Sequence, residues 1–198
     1  MKESHPLSPP DLSSSGPQNP TDITIVLVGM MGAGKTSVGR CLAARLGLAF
    51  TDADAAIEQT TGKTIARIFQ IYGEPAFRNK ERHIMTKLLT HSGGIIAAGG
   101  GAFMDPHIRR CIRERAISVW LKADPDRLLR RVHNSRTRPL LNAGNPRTTL
   151  ARLIKQRYPI YNLADLTVDG SDRSPSAVAE DIIERLPSVT RKTSSWKP

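Results

Sequence analysis

The chain has 198 residues, which suits one folded domain with short tails, and its 29 basic against 18 acidic side chains give a net charge of +11. This charge favours a small anionic ligand or a merely solvated basic surface over a nucleic acid, because no nucleic-acid motif occurs and only 5% of residues are aromatic. The two cysteines, Cys41 and Cys111, are too few for a disulfide framework and indicate a reduced, cytoplasmic protein, and the longest apolar run, 23–31, is shorter than the roughly 20 residues of a membrane span.

The two ends of the chain differ in composition from its middle. Residues 1–20 are rich in serine, proline, asparagine and glutamine, and they lack the features of a signal peptide or a mitochondrial presequence. Such a segment buries too little apolar surface to fold, so we predict a disordered tail at 1–20. We expect one folded domain at 21–186 and a C-terminal tail at 187–198.

Strand and helix patterns alternate along the folded part. In chain order we predict a strand at 23–28, a helix at 35–46, a strand at 48–51, helices at 54–61, 64–72 and 74–90, a strand at 94–98, a helix at 106–114, a strand at 116–121, helices at 125–133 and 148–163, a strand at 166–168 and a helix at 175–186. Within 148–163, Pro159 predicts a kink or break, because proline lacks the N–H group of a helix hydrogen bond. The alternation predicts a mostly parallel sheet with helices on both faces.

Residues 29–36 read Gly-Met-Met-Gly-Ala-Gly-Lys-Thr and match the pattern G-x-x-x-x-G-K-[ST]. The motif lies between a predicted buried strand and a predicted helix, which is the context that a P-loop requires. Its glycines let backbone N–H groups turn toward phosphate oxygens, and the helix N-terminus adds partial positive charge there. Lys35 would reach the β- and γ-phosphates, and the Thr36 hydroxyl would bind Mg²⁺.

Asp52 and Asp54 follow the second predicted strand. Ligands of α/β sheets bind beyond the carboxyl ends of the strands, so these carboxylates should face the transferred phosphate. One of them could hold the water shell of the metal, and the other could accept a proton from an attacking hydroxyl. Alternatively, either aspartate could simply cap the next helix.

Four later features are each ambiguous when taken alone. Arg78 and Glu81 lie three residues apart on one helix, where a surface ion pair is the ordinary interpretation. The run 99–101 is three glycines, which allow close backbone approach to a ligand or merely form a flexible turn. The polar segment at about 133–147 carries Arg138 and could close over a nucleotide as a mobile lid, or be a solvated loop. The side chain of Arg157, in the following helix, could point back into the substrate pocket or face solvent.

These motifs together resemble the shikimate kinase family. The P-loop, Asp52-x-Asp54, the pattern G-E-x-x-F-R-x-x-E at 73–81, the triple glycine, R-P-L-L at 138–141 and Arg157 occur in that family's order and spacing, over about 23–186. The resemblance implies a three-layer, five-stranded parallel sheet of the P-loop, nucleoside-monophosphate-kinase-like type, with a mobile lid. It also implies a monomer that uses ATP and Mg²⁺ to phosphorylate the 3-hydroxyl of shikimate, a step toward chorismate and the aromatic amino acids.

The resemblance also implies roles for individual residues. The catalytic residues would be Lys35, Asp54 as the base, and Arg138 from the lid. The nucleotide would contact Gly32, Ala33, Gly34, Lys35, Thr36, Ser37, Arg131, Arg138 and Arg173, the arginines at 131 and 173 lying beside the adenine. Shikimate would contact Asp54, Arg78, Gly99, Gly100, Gly101 and Arg157, with its carboxylate between the two arginines. Thr36 and Asp52 would hold Mg²⁺.

Three other functions compete with this interpretation. A gluconate-type sugar-acid kinase shares the P-loop and the sheet, but the motif at 73–81 and Arg157 argue against it. A non-catalytic regulatory relative would be expected to have lost Lys35, Asp54 or Arg138, and all three are present. A nucleic-acid-binding protein would show affinity that falls steeply with salt, and it would not respond to shikimate.

Overall fold

The computed structural model of the chain describes residues 23–91, 93–133 and 145–189, and a five-stranded parallel sheet lies at its centre. The strands are β1 (Thr24–Val28), β2 (Phe50–Asp52), β3 (Gly94–Ala97), β4 (Ile117–Lys122) and β5 (Leu166–Asp169). Their spatial order is β2-β3-β1-β4-β5, and Val26 of β1 pairs with Ile96 of β3 and with Ser118 of β4. The predicted five-stranded parallel sheet is therefore confirmed.

Seven helices are formed within the described ranges. They are α1 (Lys35–Leu46), α2 (Ala53–Thr61), α3 (Ile65–Leu89), α4 (Pro106–Arg115), α5 (Pro125–His133), α6 (Pro146–Tyr161) and α7 (Pro175–Arg185), with 3-10 turns at Ala102–Met104 and Leu186–Ser188. None of these helices is long and apolar enough to cross a membrane.

Helices cover both faces of the sheet, as predicted. Gly39 of α1 lies against Leu27, whereas the two tyrosines of α6 pack on Trp120, whose register partner is Val28. Neighbouring residues of a strand point to opposite faces, so α1 and α6 lie on opposite sides. Every residue of β1 is buried in consequence, which is why its sequence reads as a continuous apolar run.

Two predicted breaks in helices have different outcomes. The predicted helices at 64–72 and 74–90 form α3, and Gly73 interrupts its helical conformation with φ 76° and ψ 174°, so the boundary is confirmed. At Pro159, where a kink or break is predicted, the helix does not break, since α6 continues through that residue to Tyr161. Pro159 lacks the N–H that would donate to the carbonyl oxygen of Lys155, so α6 loses one hydrogen bond there, but Tyr158 and Tyr161 pack on Trp120 and hold this last turn in the core.

A second, small hydrophobic cluster lies apart from the main core. Ile57 of α2 packs with Ile68, Phe77 and Ile84 of α3, and all four are at most 7% exposed. This cluster fixes α2 and α3 to each other, so the two helices form one wall of a cleft beyond the carboxyl ends of the strands. The other boundaries deviate slightly from prediction, for example β2, which begins at Phe50 rather than at 48.

Several predicted segments lie outside the described residues. These are the tail at 1–20, most of the lid at about 133–147, and the end of the chain from residue 190.

Candidate active site

The loop between β1 and α1 has the geometry of an anion cradle. Gly29, Gly32 and Gly34 adopt φ values of 138°, 80° and 95°, a region that favours glycine. The Lys35 ammonium donates to the carbonyl oxygens of Gly29 at 2.9 Å and Met30 at 3.0 Å. These bonds hold the positively charged Lys35 side chain across the loop, which leads into the N-terminus of α1. The predicted P-loop is therefore formed, between a buried strand and a helix.

Thr36 and Asp52 meet at the edge of this loop. The Thr36 hydroxyl donates to Asp52 Oδ2 at 2.7 Å, while Asp52 Oδ1 accepts from the backbone N–H groups of Asp54 at 3.1 Å and Ala55 at 3.4 Å. Asp52 thus caps α2 with one oxygen, as the alternative interpretation predicts, and reaches the P-loop with the other, while its role toward the metal stays a prediction. A hydroxyl and a carboxylate oxygen suit Mg²⁺, which prefers oxygen ligands.

The donor set fits a metal that is held jointly with phosphates. Mg²⁺ is usually bound through one or two protein oxygens together with substrate phosphates and water, and Thr36 with Asp52 could supply those oxygens. The described part of the chain holds no group of three or more histidine, cysteine, aspartate or glutamate residues that could bind a metal alone. The site therefore suits a metal that arrives with the nucleotide.

On the other side of the cleft, Asp54 and Glu81 converge on Gly99. A Cβ atom at residue 99 would lie 2.7 Å from Asp54 Oδ1 and 2.6 Å from Glu81 Oε1, so only glycine leaves room for both carboxyl groups. Glu81 is 1% exposed, and its Oε1 has no hydrogen-bond partner. Burial raises the pKa of Glu81 and the charge of Asp54 adds to the rise, although Arg78 and Arg157 oppose it.

Arg78 is held between two glutamates. Its guanidinium lies 2.6 Å from Glu81 Oε2 and 2.9 Å from Glu74 Oε1. Burial alone would lower the pKa of Arg78, but the two carboxylates outweigh it and raise the pKa, so the side chain remains a cation. Because Glu81 is buried, the surface interpretation of this pair is wrong. A Cβ atom on Gly101 would lie 2.4 Å from Arg78 Nη1, so the guanidinium rests directly on that glycine.

Arg157 also turns inward. It is only 7% exposed, and its Nη1 donates to the Gly100 carbonyl oxygen at 2.8 Å, so the solvent-facing interpretation is wrong. The hydroxyl of Tyr161, one turn further along α6, donates to the same oxygen at 2.5 Å. Each glycine of the run 99–101 therefore meets a different functional group, and the run is not merely a flexible turn.

These groups open onto one cleft of about 960 Å³. This volume lies in the upper part of the range of ligand pockets, roughly 300–1,000 Å³. The predicted site residues that line it are Gly32, Gly34, Lys35, Thr36, Ser37, Asp52, Asp54, Arg78, Gly100, Gly101 and Arg157. Ala33 is buried beneath the loop, and Gly99 lies behind the two carboxylates.

Three predicted arginines remain, and of these Arg173, which the structure describes in full, does not line the cleft. Arg173 pairs with Asp181 at 2.5 Å and donates to the Ala177 carbonyl at 3.0 Å, so it braces the start of α7, although Pro175 close by lines the cleft. Arg131 lies in α5, but its side chain is outside the described part, and so is the whole of Arg138. The adenine and lid roles of these residues stay predictions.

Two residues of the site were missed as functional residues. Glu81 was taken only as the ion-pair partner of Arg78, and Tyr161 was not singled out at all. Tyr161 follows Arg157 by four residues and so shares its helix face, which is the signal that the sequence offered.

The fold alone occurs in more than one kind of kinase. A gluconokinase from Sinorhizobium meliloti superposes with a TM-score of 0.57 at 17% identity, over 85% of this chain and 93% of that one. At this identity the likeness shows a shared fold and does not favour gluconate.

The similarity to shikimate kinases is much stronger. A profile of the shikimate kinase family matches residues 31–187. A shikimate kinase of Rhodopseudomonas palustris is 47% identical over 165 residues, which are 83% of this chain and 81% of that protein. A shikimate kinase from Acinetobacter baumannii, solved in complex with shikimate, superposes with a TM-score of 0.82 at 38% identity, over 85% of this chain and 94% of that one. The resemblance drawn from the ordered motifs is confirmed, and the chain belongs to the shikimate kinase family.

Proposed function

We propose that the cleft transfers the γ-phosphoryl group of ATP to the 3-hydroxyl of shikimate, giving ADP and shikimate 3-phosphate. The observation that carries this proposal is the arrangement of the cleft. An anion cradle with Lys35 and Thr36 lies at one side, and a carboxylate, Asp54, lies at the other with the buried Arg157 and the half-buried Arg78. Phosphoryl transfer needs chiefly this kind of positioning and charge neutralisation.

At the nucleotide side, the backbone of 32–37 and the Lys35 ammonium bind the phosphates. Thr36 and Asp52 would hold Mg²⁺, which when bound would neutralise negative charge on the phosphates. The 2.7 Å bond between these side chains supports the assignment, since it brings a hydroxyl and a carboxylate to one point beside the P-loop.

At the acceptor side, Arg78 and Arg157 bind the carboxylate of shikimate, and Asp54 accepts the proton of its 3-hydroxyl. A guanidinium presents paired N–H donors that match a carboxylate. Asp54 suits the base because it lies just beyond β2 and lines the same cleft as the P-loop and the two arginines. Glu81 holds Arg78 in place through its 2.6 Å ion pair.

The remaining roles rest on the family pattern. Arg138 would neutralise charge at the phosphates from the lid at about 133–147, and Arg131 and Arg173 would flank the adenine. The position of Arg173 near Pro175 at the cleft supports the last of these. Residues 1–20 and 187–198 would be tails that take no part in catalysis.

Identification of the product tests the proposed reaction. The chain would be incubated with Mg-ATP and shikimate, and the product examined by ³¹P and ¹H NMR. We expect one phosphoester whose phosphorus couples to the proton at C3. A phosphate on another hydroxyl, or no phosphoester at all, would reject the assignment.

Gly101→Ala tests the contact between Arg78 and the triple glycine. The new methyl group would collide with the guanidinium, which must then leave its position over residue 101. Because a charge-assisted hydrogen bond contributes about 1.5–3 kcal/mol, we expect the KM for shikimate to rise about 10- to 100-fold. The KM for ATP should stay within twofold, and steady-state kinetics with each substrate varied in turn would measure both. Equal rises in the two constants would contradict a role confined to the acceptor.

We also propose a cytoplasmic monomer. Cys41 and Cys111 are both free cysteines, as a reducing compartment favours, and the proposed site is assembled from residues of one chain. Light scattering should therefore give the monomer mass of 21.7 kDa, and a single species of twice that mass would contradict the proposal.

A further inference from the structure

Tyr161 is a buried polar residue that the reaction described above does not use. It stands at the end of α6 with 0% of its surface exposed, and its ring packs near those of Phe103, Trp120 and Tyr158 at 5.9–6.4 Å between centroids. A phenylalanine would fill this space equally well. The hydroxyl group is therefore the part of Tyr161 that needs an explanation, since burying it is costly unless it is hydrogen-bonded.

The hydroxyl donates to a carbonyl that belongs to the acceptor site. Tyr161 Oη lies 2.5 Å from the Gly100 oxygen, which also accepts from Arg157 Nη1 at 2.8 Å. A carbonyl oxygen has two lone pairs, and here each receives a donor. The tyrosine and the arginine are thus tied to one peptide group, and the direction of that peptide depends on both.

The same hydroxyl also touches the P-loop. It lies 3.9 Å from the sulfur of Met30, which is 1% exposed, and the carbonyl of Met30 accepts from the Lys35 ammonium at 3.0 Å. One buried oxygen therefore stands between the residue that binds the acceptor and the loop that binds the phosphates.

We propose that Tyr161 is a positioning residue for phosphoryl transfer, whose hydroxyl fixes the Gly100 peptide and the Arg157 guanidinium relative to the P-loop. The inference rests on the proposed function, because it assumes that Arg157 binds the acceptor. Tyr161 touches neither substrate in this role. It keeps the distance between the two substrates constant, on which an in-line transfer depends.

The hydroxyl acts as a fixed donor and takes no part in proton transfer. Burial raises the pKa of Tyr161 to about 12, against the opposing effect of Arg157. The group therefore keeps its proton throughout the physiological pH range, and the effect of removing it should not depend on pH between about 6 and 9.

Tyr161→Phe removes only the oxygen, and Tyr158→Phe is its matched control. Both tyrosines belong to α6, both rings pack on Trp120, and each hydroxyl donates to a backbone carbonyl. The partner of Tyr158 is Ala123, at 2.6 Å, which does not line the cleft. Thermal unfolding of both variants would show that their folds are equally intact.

We expect Tyr161→Phe to raise the KM for shikimate and lower kcat, so that kcat/KM falls about 3- to 10-fold in total, as the loss of one hydrogen bond of about 1 kcal/mol predicts. The KM for ATP should stay within twofold, and Tyr158→Phe should match the wild type in all three constants. In an Arg157→Lys background, the effect of Tyr161→Phe should shrink to less than twofold, because the two residues act through one carbonyl.

Three results would overturn the inference. They are wild-type kinetics for Tyr161→Phe, equal effects of the two tyrosine variants, and an undiminished effect of Tyr161→Phe in the Arg157→Lys background. The wild-type chain, measured in the same assay, separates this inference from the proposed function. A wild type that does not phosphorylate shikimate would reject both, whereas an active wild type with unaffected Tyr161→Phe rejects the inference alone.

Discussion

Asp54→Asn is expected to lower kcat with shikimate by about 10²- to 10⁴-fold, the usual contribution of a general base. The amide keeps the size of the side chain, and it can still form hydrogen bonds beside Gly99, but it cannot take the proton of the acceptor hydroxyl. Because Asp54 lies on the acceptor side of the cleft, the KM for ATP should change less than threefold. Steady-state kinetics with each substrate in turn would measure both effects.

Glu58→Gln is the control for this substitution. Glu58 is on the same helix and also lines the cleft, and its Oε1 accepts from the backbone N–H of Ile65 at 2.8 Å, a bond that an amide oxygen can keep. Its kcat should match that of the wild type. Turnover of Asp54→Asn near the wild-type level would reject the assignment of Asp54 as the base.

Arg157→Ala is expected to raise the KM for shikimate by about 10- to 100-fold. The substitution removes the proposed charge-assisted contact with the carboxylate of shikimate, and such a contact is worth up to about 3 kcal/mol. It also removes one of two donors to the Gly100 carbonyl oxygen, so that only the Tyr161 hydroxyl remains of this pair. The KM for ATP should change little, since Arg157 lies on the acceptor side.

Arg152→Ala is the matched control, since Arg152 is an exposed arginine of the same helix whose guanidinium donates to Gln156 at 3.2 Å. Removal of its charge should leave both KM values unchanged. If Arg157→Ala kept the acceptor KM of the wild type, the carboxylate would have to be bound elsewhere.

The nucleotide side could be predicted from the sequence because its groups are close together along the chain. The P-loop occupies eight consecutive residues, and its chemistry follows from backbone conformations that glycine alone favours, as the positive φ values of Gly32 and Gly34 show. The strand and helix on either side were predictable for the same reason, because a buried parallel strand is a continuous apolar run.

The acceptor side could be predicted only in part, because its contacts join distant segments. Arg157 meets Gly100 across 57 residues, and Tyr161 meets Met30 across 131. No local pattern distinguishes an arginine that turns inward from one that faces solvent, so the ordered family motifs were needed to choose Arg157. The convergence of Asp54 and Glu81 on Gly99 is likewise a product of packing between α2, α3 and the end of β3.

The continuation of α6 through Pro159 has the same cause. Helix propensity counts against a proline in any helix interior, but this residue lies between Tyr158 and Tyr161, whose rings are held against Trp120. Tertiary packing therefore outweighs the local cost and carries α6 to its end at Tyr161.

ADP release with Mg-ATP and a panel of acceptors would show whether this chain phosphorylates shikimate. The panel would hold shikimate, quinate, gluconate and no acceptor, each assayed at the same enzyme concentration. We expect strong turnover with shikimate alone. Turnover with gluconate in its place would keep the P-loop chemistry and reject the acceptor site, and ATP binding without acceptor-dependent turnover would contradict the claim that this chain is a kinase of shikimate.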